Sequence, residues 1–168
     1  MAEIKILSSY LPIGGFTPVD MQTADNNGAW VSMTNLEAVV AVLYAAIGTA
    51  GDDPVFTLEQ ATSAAGAGAK GLNFTEIYIK NAANVNTTAA FTKVTQSAAS
   101  TYTNATSAEA QNLFAVEVPA TSLDQANGYR FVRLTIPDTG TNAKLGCGIY
   151  FGKLKVGSAP EEAQNVIA

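Results

Sequence analysis

The chain is divided into short segments in which apolar and polar residues alternate, and Gly, Pro, Asn and Asp separate one segment from the next. In Tyr129–Ile136, the clearest segment, every second residue from Val132 onwards is aliphatic. Alternation with a period of two is typical of a strand that buries one face. The pattern predicts a mostly β chain, folded as a single-domain antiparallel β-sandwich or jelly-roll with at most one or two short helices.

The same criteria predict strands elsewhere in the chain and assign an inward face to two of them. Phe114, Val116 and Val118 should share one side of their strand. In the last strand, Leu145, Cys147, Ile149 and Phe151 should point inward, because they are the larger apolar residues of the alternation. The further predicted strands are an opening strand with Ile4 and Ile6 on one face, Trp30–Met33, Pro54–Glu59, Leu72–Lys80, Phe91–Thr95, Leu113–Val118, and a last strand from Leu145 to Val156.

The segment Leu36–Ile47 fits two structures. Its Ala and Leu residues favour a helix that begins at Thr34 or Asn35 and ends at Gly48, whereas its valines favour a buried strand. The surrounding segments are all β, and this favours the strand.

The rest of the chain is predicted to be loops, one turn and the two ends. We expect loops at Gln60–Gly71 and Thr95–Ala110, and a helical turn at Ala120–Gln125. Residues 1–168 form one domain in this interpretation, and residues 1–10 and 157–168 are candidate extended arms.

The charge of the chain limits its partners. Charged residues make up 14% of the sequence, compared with ~25% in a typical domain. The net charge is −5 and the 9 basic residues are scattered, which excludes the clustered Lys and Arg of a nucleic-acid-binding protein. The longest apolar stretch, Ala38–Ile47, is too short to span a bilayer, so no membrane partner is expected. A surface of small neutral residues instead suits repeated contact with other proteins.

Two sequence motifs match catalytic or cofactor-binding patterns only in part. Gly66–Gly71 has the spacing of the dinucleotide-binding loop, but that loop must lead into a helix, and Leu72–Lys80 is strand-like. Asp138-Thr139-Gly140 matches the triplet of aspartic proteases, yet Pro137 separates it from the preceding strand and Asp-Thr-Gly is common in turns. We interpret both as loops.

Reactive side chains are scarce. The chain has no His and a single cysteine, Cys147, so neither Ser-His-Asp nor Cys-His catalysis is available. We interpret Cys147 as a buried, unreactive thiol. The sequence predicts no catalytic, cofactor-binding or metal-binding residues, no cofactor and no enzymatic activity.

Three sequence segments give the chain a resemblance to known proteins. Val55–Thr62, the loop Gly66–Lys70 with the following Leu72–Lys80, and Tyr129–Ile136 together resemble capsid decoration proteins of tailed bacteriophages, also called cement or head-stabilising proteins. The resemblance extends over residues 36–156. It implies a virion protein on the capsid exterior, made in the host bacterial cytoplasm, whose partners are the major capsid protein and copies of itself in a homotrimer. It implies no catalytic residues.

Two other functions fit the same sequence. The chain could be a structural or receptor-binding module of a tail or fibre, since those proteins share this composition. It could also be a carbohydrate-binding β-sandwich, although Trp30 is its only tryptophan.

Overall fold

The alternating segments form the strands of two sheets. The structure, a computed structural model, describes residues 6–86, 90–105, 107–138 and 140–157. Within those residues the strands are β1 (Tyr10–Asp20), β2 (Asn26–Asn27), β3 (Val31–Ser32), β4 (Leu36–Ala45), β5 (Phe56–Ala61), β6 (Lys70–Gly71), β7 (Phe74–Ala82), β8 (Thr92–Ala99), β9 (Thr101–Tyr102), β10 (Gln111–Pro119), β11 (Phe131–Ile136) and β12 (Leu145–Leu154). Short 3₁₀ helices cover Ile6–Ser8, Ala120–Ser122 and Gln125–Asn127.

The two sheets are antiparallel and pack as a β-sandwich, which confirms the predicted fold class. The large sheet has the strand order β1-β12-β4-β10-β7-β8. The small sheet has the order β2-β11-β5-β6, and β3 and β9 pair with β11 and β5 respectively. Strands that are distant in the sequence are therefore neighbours, as β1 and β12 show.

The core lies between the sheets. β4 contributes Val39 and Leu43 to it, and β11 contributes Val132 and Leu134, all with 0% exposure. The alternation predicted for Tyr129–Ile136 is confirmed, and so is the inward face formed by Phe114, Val116 and Val118 of β10.

The ambiguous segment is a strand, as its surroundings favoured. Leu36–Ala45 pairs with β10 on one side and β12 on the other. A central strand needs side chains that fit both faces of the sheet, and the β-branched valines meet that need better than a helix would. The predicted helical turn is also confirmed, at Ala120–Ser122.

The predicted opening strand was wrong in the part of it that the structure describes. The opening strand is absent from the described residues: Ile6–Ser8 is a 3₁₀ helix, and the strand begins at Tyr10 despite containing two prolines. Proline is tolerated there because β1 is an edge strand of the large sheet. Of the two candidate arms, residues 1–5 and 158–168 lie outside the described residues.

The predicted loop Thr95–Ala110 begins too early. β8 continues to Ala99 and β9 follows at Thr101–Tyr102. β8 is the other edge of the large sheet and most of its residues are exposed. β8 is held in the sheet mainly by its main-chain pairing with β7. Because it buries few side chains, its sequence lacks the alternation of apolar and polar residues by which a strand is recognised.

The predicted inward face of the last strand was also wrong. Leu145, Ile149 and Phe151 point outward and are 59%, 37% and 44% exposed. The inward positions belong to Tyr150, Leu154 and three glycines, Gly146, Gly148 and Gly152. These glycines leave room for large side chains: a Cβ on Gly148 would lie 2.6 Å from the Phe16 ring.

Candidate protein-binding face

The outward faces of the two sheets differ in chemistry. The small sheet presents polar side chains, among which Arg133 of β11 donates a hydrogen bond from Nε to Oε2 of Glu59 on β5 at 2.6 Å. The Arg133 guanidinium also lies 4.5 Å from the centre of the Trp30 ring. Polar outward residues are what an antiparallel sheet normally shows to water. The outward face of the small sheet therefore has the polar composition of a surface exposed to water.

The large sheet instead exposes apolar side chains, and we call this surface the outer face. It is formed by alternate residues of five neighbouring strands, β1, β12, β4, β10 and β7. Its uncharged residues are Tyr10, Pro12, Gly14, Val40, Val42, Tyr44, Tyr78, Leu113, Ala115, Leu145, Cys147, Ile149 and Phe151, and its charged residues include Lys80 and Glu117.

Strand register arranges the outer face in three rows across the sheet. Residues paired directly across antiparallel strands have Cβ atoms about 4.5–5.5 Å apart, so each row is continuous. The central row is Gly14, Ile149, Val42, Ala115 and Tyr78. One flanking row is Pro12, Phe151, Val40 and Glu117, and the other is Cys147, Tyr44, Leu113 and Lys80.

The exposure of the outer face is unusual for a protein surface. Six of its large apolar or aromatic residues are exposed: Tyr10, Tyr44, Tyr78, Leu145, Ile149 and Phe151. Single exposed apolar residues are common, but a contiguous patch usually marks a contact with another molecule. Tyrosine and phenylalanine are also enriched at protein–protein interfaces. These features favour a protein-binding surface.

Ion pairs border the outer face. Lys153 Nζ lies 2.9 Å from Oε2 of Glu37, and Lys93 Nζ lies 2.6 Å from Oε1 of Glu76. The hydrogen bond to each carboxylate raises the pKa of its lysine. These four charges are already matched within the chain, so they present little net charge to a partner that approaches the face.

One end of the outer face contains a shallow cavity of about 230 Å³. Tyr44, Leu145, Cys147 and Pro18 contribute to its largely apolar lining. The Cys147 thiol is half-buried, rather than fully buried as expected, and burial raises its pKa. A raised pKa keeps the sulfur protonated at neutral pH, which does not suit a nucleophile.

A second unusual group, Lys144, lies at the end of the sandwich just before β12. Its side chain is fully buried and donates a hydrogen bond from Nζ to the carbonyl oxygen of Ser107. Burial lowers its pKa to about 8, while the nearby carboxylates of Asp53 and Glu109 oppose this fall.

Asp53 has its own partners in this cluster. Its Oδ1 accepts hydrogen bonds from the Ala108 N–H at 2.7 Å and from the Ser107 hydroxyl at 2.9 Å. The arrangement therefore ties the start of β12 to the loop before β10. We interpret it as a structural anchor, because the Lys144 amine and the Asp53 carboxylate are both hydrogen-bonded to residues of the chain.

The structure places the described residues of the two motif matches outside helices, and each segment contains glycine with a positive φ. Gly66 and Gly68 adopt φ of 79° and 64° in the loop between β5 and β6, and a strand rather than a helix follows. The Asp138 N–H donates to Oδ1 of Asp25 at 2.9 Å, and Gly140 has a φ of 87°. Thr139 lies outside the described residues. Neither segment has the surroundings that its motif requires.

Two other kinds of site are absent from the described part of the chain. Residues 6–86, 90–105, 107–138 and 140–157 contain no cluster of three or more Cys, Asp or Glu that could hold a metal ion. In the same residues no helix has the length and apolar character needed to cross a membrane.

The fold and the outer face together define an antiparallel β-sandwich with one exposed apolar sheet face. Comparisons of the chain with models of protein families, with curated proteins and with solved structures found no match.

Proposed function

We propose that the chain is a structural virion protein that binds the outer surface of a phage capsid and stabilises it. In this role it has no enzymatic activity. It is made in the bacterial cytoplasm and ends on the capsid exterior, where it contacts the major capsid protein and copies of itself. The resemblance of Val55–Thr62, Leu72–Lys80 and Tyr129–Ile136 to decoration proteins supports the choice of the capsid, and implies three copies in each oligomer.

The outer face is the observation that carries this proposal. Burying apolar surface yields about 25 cal/mol for each Å², so an exposed sheet face that contains Tyr44, Ile149 and Phe151 favours association. In a shell decorated by many copies, modest contacts add up through multivalency. The low fraction of charged residues also suits dense packing of copies, because few charged side chains lose their hydration at the contacts.

Binding to phage heads tests the proposal directly. Purified chain is mixed with heads that lack it, and separately with isolated tails of the same phage as the matched control. We expect the chain to sediment with heads and not with tails, and the decorated heads to retain their DNA at a higher temperature than bare heads.

Two other binding results would contradict the proposal. Binding to tails alone would instead support the tail or fibre alternative, which immunogold labelling of whole virions would locate independently. A chain that binds neither heads nor tails would refute a structural role in the virion.

A further inference from the structure

Two charges on the outer face have no ion-pair partner within the described residues. Glu117 of β10 lies in the flanking row with Phe151 and Val40, and Lys80 of β7 lies in the other flanking row. The ion pairs that the described residues form at this face involve Lys153 with Glu37 and Lys93 with Glu76. Glu117 adds only a smaller increase to the pKa of Lys153, which Glu37 mainly raises.

Glu117 and Lys80 lie on opposite sides of the central row, at equal distances from it. Val42 and Ala115 of that row lie two residues from each flanking row along β4 and β10. When two copies stack face to face about a twofold axis that runs along the central row, each flanking row of one copy faces the opposite flanking row of the other copy. The row that contains Glu117 in one copy therefore faces the row that contains Lys80 in the other. Their strands, β10 and β7, are neighbours, about 4.8 Å apart.

The area of the outer face is close to the area that each partner buries in a stable dimer. Five strands at about 4.8 Å spacing, each with some nine residues rising about 3.3 Å, cover roughly 700 Å². A standard specific interface buries about 800 Å² on each partner. Two sheets that pack face to face lie about 10 Å apart, which is the distance that interleaved Val, Ile and Tyr side chains fill. A wide sheet face is matched better by another sheet than by a single extended segment.

We propose that the outer face binds the outer face of a second copy of the chain, in a twofold pair in which Glu117 of each copy contacts Lys80 of the other. This inference rests on the proposed function and deepens it: of the two proposed partners, the outer face binds the second copy, and the major capsid protein binds a different surface of the chain. The pair contains two copies, whereas the resemblance implies three.

Mass measurement of the full chain in solution tests the pair. Light scattering combined with size exclusion should give twice the mass of the chain, or an even multiple of it. Ile149→Lys and Ala115→Lys place a charge in the central row and should each give monomers with an unchanged circular dichroism spectrum. Ala126→Lys adds the same charge at an exposed position in the Gln125–Asn127 turn and should leave the pair intact.

A charge exchange tests the predicted contact. Glu117→Lys and Lys80→Glu should each weaken the pair by about tenfold or more in Kd, as expected for opposed like charges, and the double variant should recover to within about threefold of the original. Weakening without recovery would overturn the predicted twofold axis. A monomeric or trimeric mass would overturn the pair itself, and so would a dimer that Ile149→Lys leaves unchanged.

The two proposals fail separately. If the chain pairs in solution but ignores phage heads, the pair stands and the capsid function fails. If the chain binds heads but gives no even-numbered oligomer, the capsid function stands and the pair fails.

Discussion

The hydroxyl of Tyr150 accepts a hydrogen bond from the backbone N–H of Leu134 at 2.7 Å. Tyr150 belongs to β12 of the large sheet and Leu134 to β11 of the small sheet, so this bond joins the two layers through the core. Gly28 makes room for it, since a Cβ there would lie 2.5 Å from the Tyr150 oxygen. Burial strongly raises the pKa of this phenol, which stays protonated.

Removing this hydroxyl should destabilise the sandwich. Tyr150→Phe leaves the buried Leu134 N–H without a partner, which costs about 1–3 kcal/mol in the free energy of unfolding. Chemical denaturation of both proteins measures the difference. Tyr10→Phe removes the same atom from a residue that is 49% exposed and lies outside the three rows of the outer face, and it should change stability by less than about 0.5 kcal/mol. Equal effects of the two substitutions would show that the interlayer bond is unimportant.

A glycine pair tests which face of β12 points inward. Gly148→Ala places a methyl group 2.6 Å from Phe16 and 3.3 Å from Leu134, and overpacking of this kind typically costs about 1–3 kcal/mol. Gly14 pairs with Ile149 on the outer face, and a Cβ there meets nothing within 4 Å. Gly14→Ala should therefore be tolerated. If thermal unfolding shows the opposite order, the outer face has been assigned to the wrong side.

The buried Lys144 gives stability a specific dependence on pH. Its pKa falls from 10.5 to about 8 in the folded chain, so the unfolded chain binds more protons between these two values. Stability from this residue therefore rises with pH from about 8 to 10.5, by at most roughly 3 kcal/mol.

Comparison with Lys144→Met isolates that effect. The free energy of unfolding is measured for both proteins at several pH values from 7 to 10.5. The other titrating groups are common to both proteins and cancel in the difference. As the pH rises, the free energy of unfolding of the original chain should increase relative to that of Lys144→Met. A difference that stays constant with pH would contradict the lowered pKa.

The thiol of Cys147 should react slowly. Burial raises its pKa, so its thiolate fraction at pH 8 is smaller than that of a free cysteine, and alkylation by iodoacetamide should be correspondingly slower. Because Cys147 is the single cysteine, mass spectrometry of the intact chain follows this reaction alone. Urea-unfolded chain provides the control and should react at the rate of a free thiol. Equal rates in both states would show that the thiol is not protected.

The sequence alone determined the β-sandwich class and most of its strands. In Tyr129–Ile136 the aliphatic residues Val132, Leu134 and Ile136 fall on one face, and Arg133 and Thr135 fall on the other, so local alternation identifies the strand and its buried side together. The same is true of Phe114, Val116 and Val118. The absence of His and the isolated cysteine likewise limit the chemistry that the chain can perform, whatever its fold.

Only the tertiary structure decided which side of β12 is buried. The apolar residues Leu145, Ile149 and Phe151 alternate with Gly146, Gly148 and Gly152, and a period of two fits either orientation. Side chains distant in sequence decided between them, because Phe16 and Met21 occupy the space that the glycines leave. Lys144 was missed for a similar reason: its burial depends on the loop around Ser107, and nothing local in the sequence indicates it. The outer face was therefore hidden from sequence analysis, since its apolar residues looked like those of a core.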